Sequence, residues 1–177
     1  MRKIQKQDIA TLLRMMKSFV QSVEDPFDCI DACFRAIVAI FDAERGFVLV
    51  FEGKDGKELS PFVGQGVEID TLFITEEISQ TIINSALEEQ KPFFISNAME
   101  DSRFSEKISV VVSGIRSVLC VPLISSSGFF GLLYLDDRHS EGFYTAEDRD
   151  LLIECVKEFS EIIVSHAATD FYFRPAL

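Results

Sequence analysis

The sequence predicts an α+β fold, an antiparallel sheet flanked by helices at both ends of the chain. Three observations carry that prediction. The stretch from Gly114 to Asp137 holds two apolar runs, Ile115–Leu123 and Phe129–Leu135, split by a Ser/Gly cluster, which is a hairpin pattern. Both runs are apolar on nearly every residue, so both faces of this strand pair are expected to be covered. The whole chain reads helix–helix–strand–strand–helix–strand–strand–strand–helix, with strands gathered into hairpins rather than alternating with helices.

In order, residues 4–23 place Ile9, Leu12, Met16, Phe19 and Val23 at alternating spacings of three and four, a short helical seam that Leu13 and Val20 widen. Asp25-Pro26 starts a second helix, with a capping acid before proline at the first helical position. Residues 26–41 carry two apolar stripes. One stripe (Phe27, Ile30, Phe34, Ile37, Phe41) is expected on the sheet, the other (Cys29, Cys33, Ala36, Ile40) against the 4–23 helix or a partner subunit. Arg45–Phe51 reads as a strand, Gly53-Lys54-Asp55-Gly56 as a turn and Leu59–Val63 as its returning strand. Acids at Glu76 and Glu77 open a helix over residues 76–90. Pro92–Ser96 is a short strand, 97–105 a polar loop and 106–112 a weak helix. After the 115–136 hairpin, Thr145 and Asp148 resemble a capping box that starts a helix over 145–168.

The length of 177 residues suits one domain with a helical arm, and 47% hydrophobic residues supply a core without disulfides. Seventeen Phe and no Trp make phenylalanine the main aromatic filler, which buries without needing a hydrogen-bond partner. A net charge of −12 argues against a nucleic-acid or anionic-membrane surface. The charge is uneven: basic residues cluster at 1–17 and acids from Asp136 to Glu161. The acidic run is expected to be a solvated helix face, with docking of the two chain ends, within a chain or across a dimer, as the sharper reading. Cys29, Cys33, Cys120 and Cys155 lie in apolar runs, and the start of the chain has no signal-peptide pattern. Buried reduced thiols in a cytoplasmic protein are therefore expected. No apolar run approaches the ~20 residues that span a bilayer.

Candidate chemistry concentrates before the hairpin. Asp101, Arg103 and Phe104 share one polar loop, and Arg116 opens the next strand. An arginine fork suits carboxylate or phosphate. The bland alternative is an internal pair, Asp101 with Arg116 or with Arg103, pinning the loop. Cys29 and Cys33 fall on one helix face, but His139 and His166 are distant in sequence, so no metal site is expected. Cys120 has no neighbouring His or helix N-terminus to lower its pKa. The common phosphate-loop, dinucleotide, acyl-transfer and metalloprotease motifs are absent.

An ordered set of segments resembles the GAF domain family. It comprises Glu88–Ala98, Asp101-Ser102-Arg103-Phe104, Ile115–Leu123, Gly131–Asp136 and Phe143-Tyr144-Thr145 with Asp148, and Ala43–Phe47 fits the family's first strand. The resemblance covers roughly residues 26–168. It implies an antiparallel sheet of five to six strands in the order 2-1-5-4-3. Terminal helices would pack on one face, with loops and short helices over a ligand pocket on the other. The implied pocket is bounded by Phe104, Ile108, Arg116, Val118, Cys120, Leu133 and Tyr134, with Asp101 and Arg103 at its lid.

The resemblance implies a sensory or regulatory module of a signalling protein, here non-catalytic. It would bind an unidentified small molecule and form a homodimer through helices 4–23, 26–41 and 145–168. Residues 1–24 would be the linker or dimerisation helix, 25–169 the domain, and 170–177 a tail or the start of a linker to an output domain. The Asn-Lys…Phe…Asp-Glu pattern of cyclic-nucleotide-binding members and the Cys-His attachment pair of phytochromes are not visible, so the cofactor is left unassigned. Two alternatives stand beside this one: a thiol-dependent reductase of free methionine sulfoxide, and a ligand-free dimerisation module.

Overall fold

A computed structural model describes residues 3–52, 58–69, 80–98, 100–101, 114–126 and 128–167. Its elements are α1 (Lys6–Ser22), α2 (Pro26–Ile40), β1 (Arg45–Glu52), β2 (Glu58–Gln65), α3 (Gln80–Glu89), β3 (Phe93–Ile95), β4 (Ser117–Ser125), β5 (Gly128–Asp137) and α4 (Ala146–Ala167). Every expected strand is present. The 53–56 turn, the start of the 76–90 helix and the 106–112 helix lie outside the described residues.

The five strands form one antiparallel sheet in the order β2-β1-β5-β4-β3, as the resemblance implies. β5 sits at the centre and pairs with β1 and β4 over most of its length. The β1–β5 contact is tight at Gly131, opposite Val50. A Cβ there would fall 2.1 Å from the Leu49 carbonyl oxygen, so only glycine fits.

The alternation of strand side chains divides the core in two. On the first face Val48, Val50, Leu119, Val121, Leu133 and Leu135 pack with Leu12, Met16, Phe34, Ile37, Leu152, Phe159 and other residues of α1, α2 and α4. On the second face Phe47, Leu49, Val118, Cys120, Leu132 and Tyr134 meet Ile82, Ile83 and Ala86 of α3, with Phe93 and Ile95. The helices end where their sequence says. Asp25 accepts a hydrogen bond from the Asp28 N–H at 3.0 Å. Asp148 N–H donates to Thr145 Oγ1 at 3.2 Å and Thr145 N–H to Asp148 Oδ2 at 2.8 Å, the reciprocal cap the sequence predicts.

Two expectations need correction. Phe27, placed on the sheet-facing stripe, is 44% exposed and meets Phe62 edge-on with ring centroids 5.7 Å apart. It occupies the first turn of α2, near the rim of the sheet. The acidic run from Asp136 is not wholly a solvated face either: Asp136, Asp137 and Asp148 are buried. Each has fixed donors, from Arg45, from the His139 and Ser140 N–H groups, and from Thr145 respectively. The chain ends do meet within the chain, with Lys3 Nζ 2.7 Å from Glu147.

Candidate functional site

Among the described residues the second sheet face is apolar except for one polar group of side chains at its edge. Arg45 of β1 and Asp136 of β5 are opposed in register. Their side chains form a two-pronged pair, Nε to Oδ1 at 2.7 Å and Nη2 to Oδ2 at 2.6 Å, with 2% and 0% exposure. Taking two charges out of water costs several kcal/mol each, and a planar fork on a carboxylate is the geometry that offsets it. Burial works against the Arg45 charge, but the Asp136 hydrogen bonds and charge outweigh it, so its pKa rises. Burial raises the Asp136 carboxyl, and the guanidinium draws it back.

One step along the same face, Tyr134 stands opposite Phe47, their rings stacked at 4.5 Å and 14°. Tyr134 is fully buried and its hydroxyl makes no hydrogen bond of regular geometry. Burial first, then the Asp136 charge, hold the phenol protonated. The Asp136 carboxylate is the hydroxyl's hydrogen-bonding neighbour, though their contact falls short of regular hydrogen-bond geometry. A buried hydroxyl this poorly satisfied costs free energy, up to about 1–3 kcal/mol, and calls for a reason. Cys120 is the cross-strand neighbour of Tyr134 on the other side, and burial pushes its thiol up to about 12.

Of the sequence-predicted site residues, Val118, Cys120 and Tyr134 share this face. Leu133 does not: it packs among the α1, α2 and α4 side chains. Consecutive strand residues point to opposite faces, and Leu132 takes the place assigned to Leu133. Arg116 pairs with Glu141 at 2.8 Å, both partly exposed. Its partner is thus Glu141 rather than Asp101, and the pair ties the start of β4 to the loop after β5. Asp101 closes the turn that begins at Asn97, its N–H donating to the Asn97 carbonyl at 3.0 Å. Arg103, Phe104 and Ile108 lie outside the described residues.

Sequence reading missed Arg45, Asp136 and Phe47 as site residues. A signal was there: a cation opening one apolar run, Arg45-Gly-Phe-Val-Leu-Val, and an acid closing another, Leu-Leu-Tyr-Leu-Asp136. Opposite charges at the ends of buried strands must pair or move to the surface.

Among the described residues one group of possible metal ligands converges, Glu44, Asp137 and His139, all within 4.8 Å of one another. Glu44 is already engaged. It accepts from the Arg138 N–H at 2.8 Å and Nε at 2.7 Å, and His139 Nδ1 lies 3.0 Å away. Asp137 Oδ1 closes the next turn through the His139 and Ser140 N–H groups. The arrangement is a clasp between the starts of β1 and of the loop after β5.

A GAF domain family model matches residues 25–163, most of the chain and all five strands. The chain belongs to the GAF domain family. Hybrid signal transduction histidine kinase G of Dictyostelium discoideum is 29% identical over 72 residues, 41% of this chain but 2% of that protein. The match therefore concerns a small part of a much longer signalling protein.

Among solved structures, the GAF domain of an Acinetobacter phosphoenolpyruvate-protein phosphotransferase is similar with a TM-score of 0.67 at 13% identity, covering 96% of this chain and 98% of that one. Free methionine-R-sulfoxide reductase of Neisseria meningitidis, in complex with its substrate, gives 0.70 at 15% identity, covering 96% and 97%. Identities this low establish the shared GAF fold alone. GAF domains occur in signalling proteins, and one neighbour of this GAF domain is an enzyme. Among the described residues no helix is long and apolar enough to cross a membrane.

Proposed function

We propose that this GAF domain is a non-catalytic sensory module of a signalling protein. It binds a small molecule against the second sheet face and passes occupancy to α1 and α4 on the first. The observation that carries this reading is a polar island among the apolar described residues of that layer: the Arg45–Asp136 pair with the Tyr134 hydroxyl beside Asp136, short of regular hydrogen-bond geometry. A face that served packing alone would be filled more cheaply by apolar side chains. An occupant that accepts or donates a hydrogen bond would satisfy Tyr134.

The layout supports the output route. The β5 residues that reach the second face at Leu132 and Tyr134 alternate with Leu133 and Leu135, which touch the terminal-helix core. A ligand acts through that strand only if it favours one packing of the helices over another. α1 and α4, with α2, are also the surfaces we assign to a homodimer.

A reductase is the weaker reading. Its chemistry needs an attacking thiolate and a resolving thiol near each other. Cys29 and Cys33 lie side by side, but in the first-face core with Cys155, whereas Cys120 alone belongs to the second. Burial pushes Cys33, Cys120 and Cys155 up to about 12, where a thiol is a poor nucleophile.

Native mass spectrometry of protein purified from its own host tests the proposal. The expected spectrum has an adduct released intact by denaturation and lost in Tyr134→Phe, with circular dichroism checking that the variant folds. Ligand-free protein under all conditions would favour a dimerisation module, and turnover of free methionine sulfoxide would favour the enzyme.

A further inference from the structure

A second cleft, on the opposite side of the sheet from the proposed sensory site, lies where three helix ends meet. It has a volume of about 390 Å³ and is walled by Ile4 before α1, Ala39 to Asp42 at the end of α2, and Phe143 to Thr145 with Asp148 at the start of α4. That volume is within the range that holds small ligands, roughly 300–1,000 Å³.

We propose that this cleft binds a small organic ammonium ion. Four features of its wall agree on the sign of the charge. The C-terminal end of α2 carries the negative pole of the helix dipole, and its last turn has no basic side chain to balance it. Asp42 follows directly, held in the left-handed region with φ of 49°, and places a carboxylate at the cleft. Asp148 adds a second carboxylate from α4, already committed as acceptor to Thr145. The start of α4, which would otherwise attract an anion, is capped by that same pair.

The fourth feature is Tyr144. It is 2% exposed, its ring forms part of the wall, and its hydroxyl makes no hydrogen bond. Burial first, then the charges of Asp136, Asp137, Asp42 and Asp148, raise its pKa, so four carboxylates lie near the ring. Phe41 and Phe143 supply aromatic and apolar wall, the surroundings that suit an alkylammonium body. Among the described residues the cation at the rim is Lys3, drawn out to Glu147 at 2.7 Å, with both side chains about 70% exposed.

An alkyl diammonium such as putrescine is the probe, with butane-1,4-diol as its neutral counterpart. Titration of the full chain, followed by amide NMR, should show saturable shifts at Phe41 and Tyr144 with putrescine and none with the diol. Asp42→Asn keeps a residue that tolerates the left-handed region and should weaken binding about fivefold, the scale of one partly screened charge pair. Lys3→Met should strengthen it, and Asp150→Asn, an equal charge change on the outer face of α4, should leave it unchanged.

Equal binding of the diol, shifts spread over the acidic α4 surface, an equal loss with Asp150→Asn, or no saturation would each overturn the proposal. None of these outcomes bears on the ligand of the second sheet face, because the two sites lie on opposite sides of the sheet.

Discussion

At the scale of single residues, the Arg45–Asp136 pair is where this structure is most exposed to test. Removing one partner leaves a buried charge without compensation, which costs about 3–5 kcal/mol. Asp136→Leu alone should therefore lower stability by that order in urea melts. The double variant Arg45→Met/Asp136→Leu should regain most of the loss, since both charges are then gone. Two single variants that each cost under ~1 kcal/mol would mean the pair is not as dry as its 2% and 0% exposures state.

Gly131→Ala is a second residue-scale test. Its Cβ would meet the Leu49 carbonyl oxygen at 2.1 Å across β1 and β5. The backbone must move to admit it, so a loss of about 3 kcal/mol or more is expected. Neither effect was visible in the sequence as energy. Arg45 and Asp136 are 91 residues apart, and only strand register brings them together. Gly131 looked like one more small residue in an apolar run. By contrast Asp25 and Thr145 could be read directly, because a cap acts within three residues of itself.

At the scale of elements, the clasp at Glu44 sets a pH dependence. Burial works to raise the Glu44 pKa, but the Arg138 hydrogen bonds and charge and the nearby His139 outweigh it, so it falls below the ordinary 4.5. A carboxylate with a lowered folded pKa contributes stability above its unfolded pKa and loses it as pH falls through the folded one. Melting temperature should therefore drop on acidification below about 4.5, and Glu44→Gln should flatten part of that limb. A wild-type profile that Glu44→Gln leaves unaltered would contradict the clasp.

The sheet edges carry their own signature. Pro61 lies in the outer strand β2, and Pro122 in β4 just beyond the stretch that β3 covers, Val118–Cys120. Proline removes a donor and blunts an edge against pairing with another chain. Pro122→Val should raise aggregation in light scattering at unchanged fold. Strands and hairpins were legible because their pattern is local. The face each residue takes was legible only where alternation was applied strictly. Leu133 and Tyr134 cannot both face one pocket, and listing both ignored the two-residue period.

At the scale of the whole molecule, a single sheet separates two environments. One is the helix-covered core of α1, α2 and α4; the other holds the buried polar set. The family, the strand order and the terminal helices were legible from an ordered series of local signals. The site was legible only in part. Its polar floor depends on long-range register, and the choice between an internal pair and a ligand contact for Arg116 depends on which loop lies beside it, here the one bearing Glu141.

The central claim is that occupancy of the second face is felt by helices on the first. Amide hydrogen exchange on protein purified from its own host, compared with the same protein stripped of ligand by unfolding and refolding, tests it most directly. Exchange in α1 around Leu12–Met16 and in α4 around Phe159–Ile163 is expected to change on stripping, along with the strands that carry Cys120 and Tyr134. Changes confined to those strands and α3, with both terminal helices exchanging identically, would contradict it.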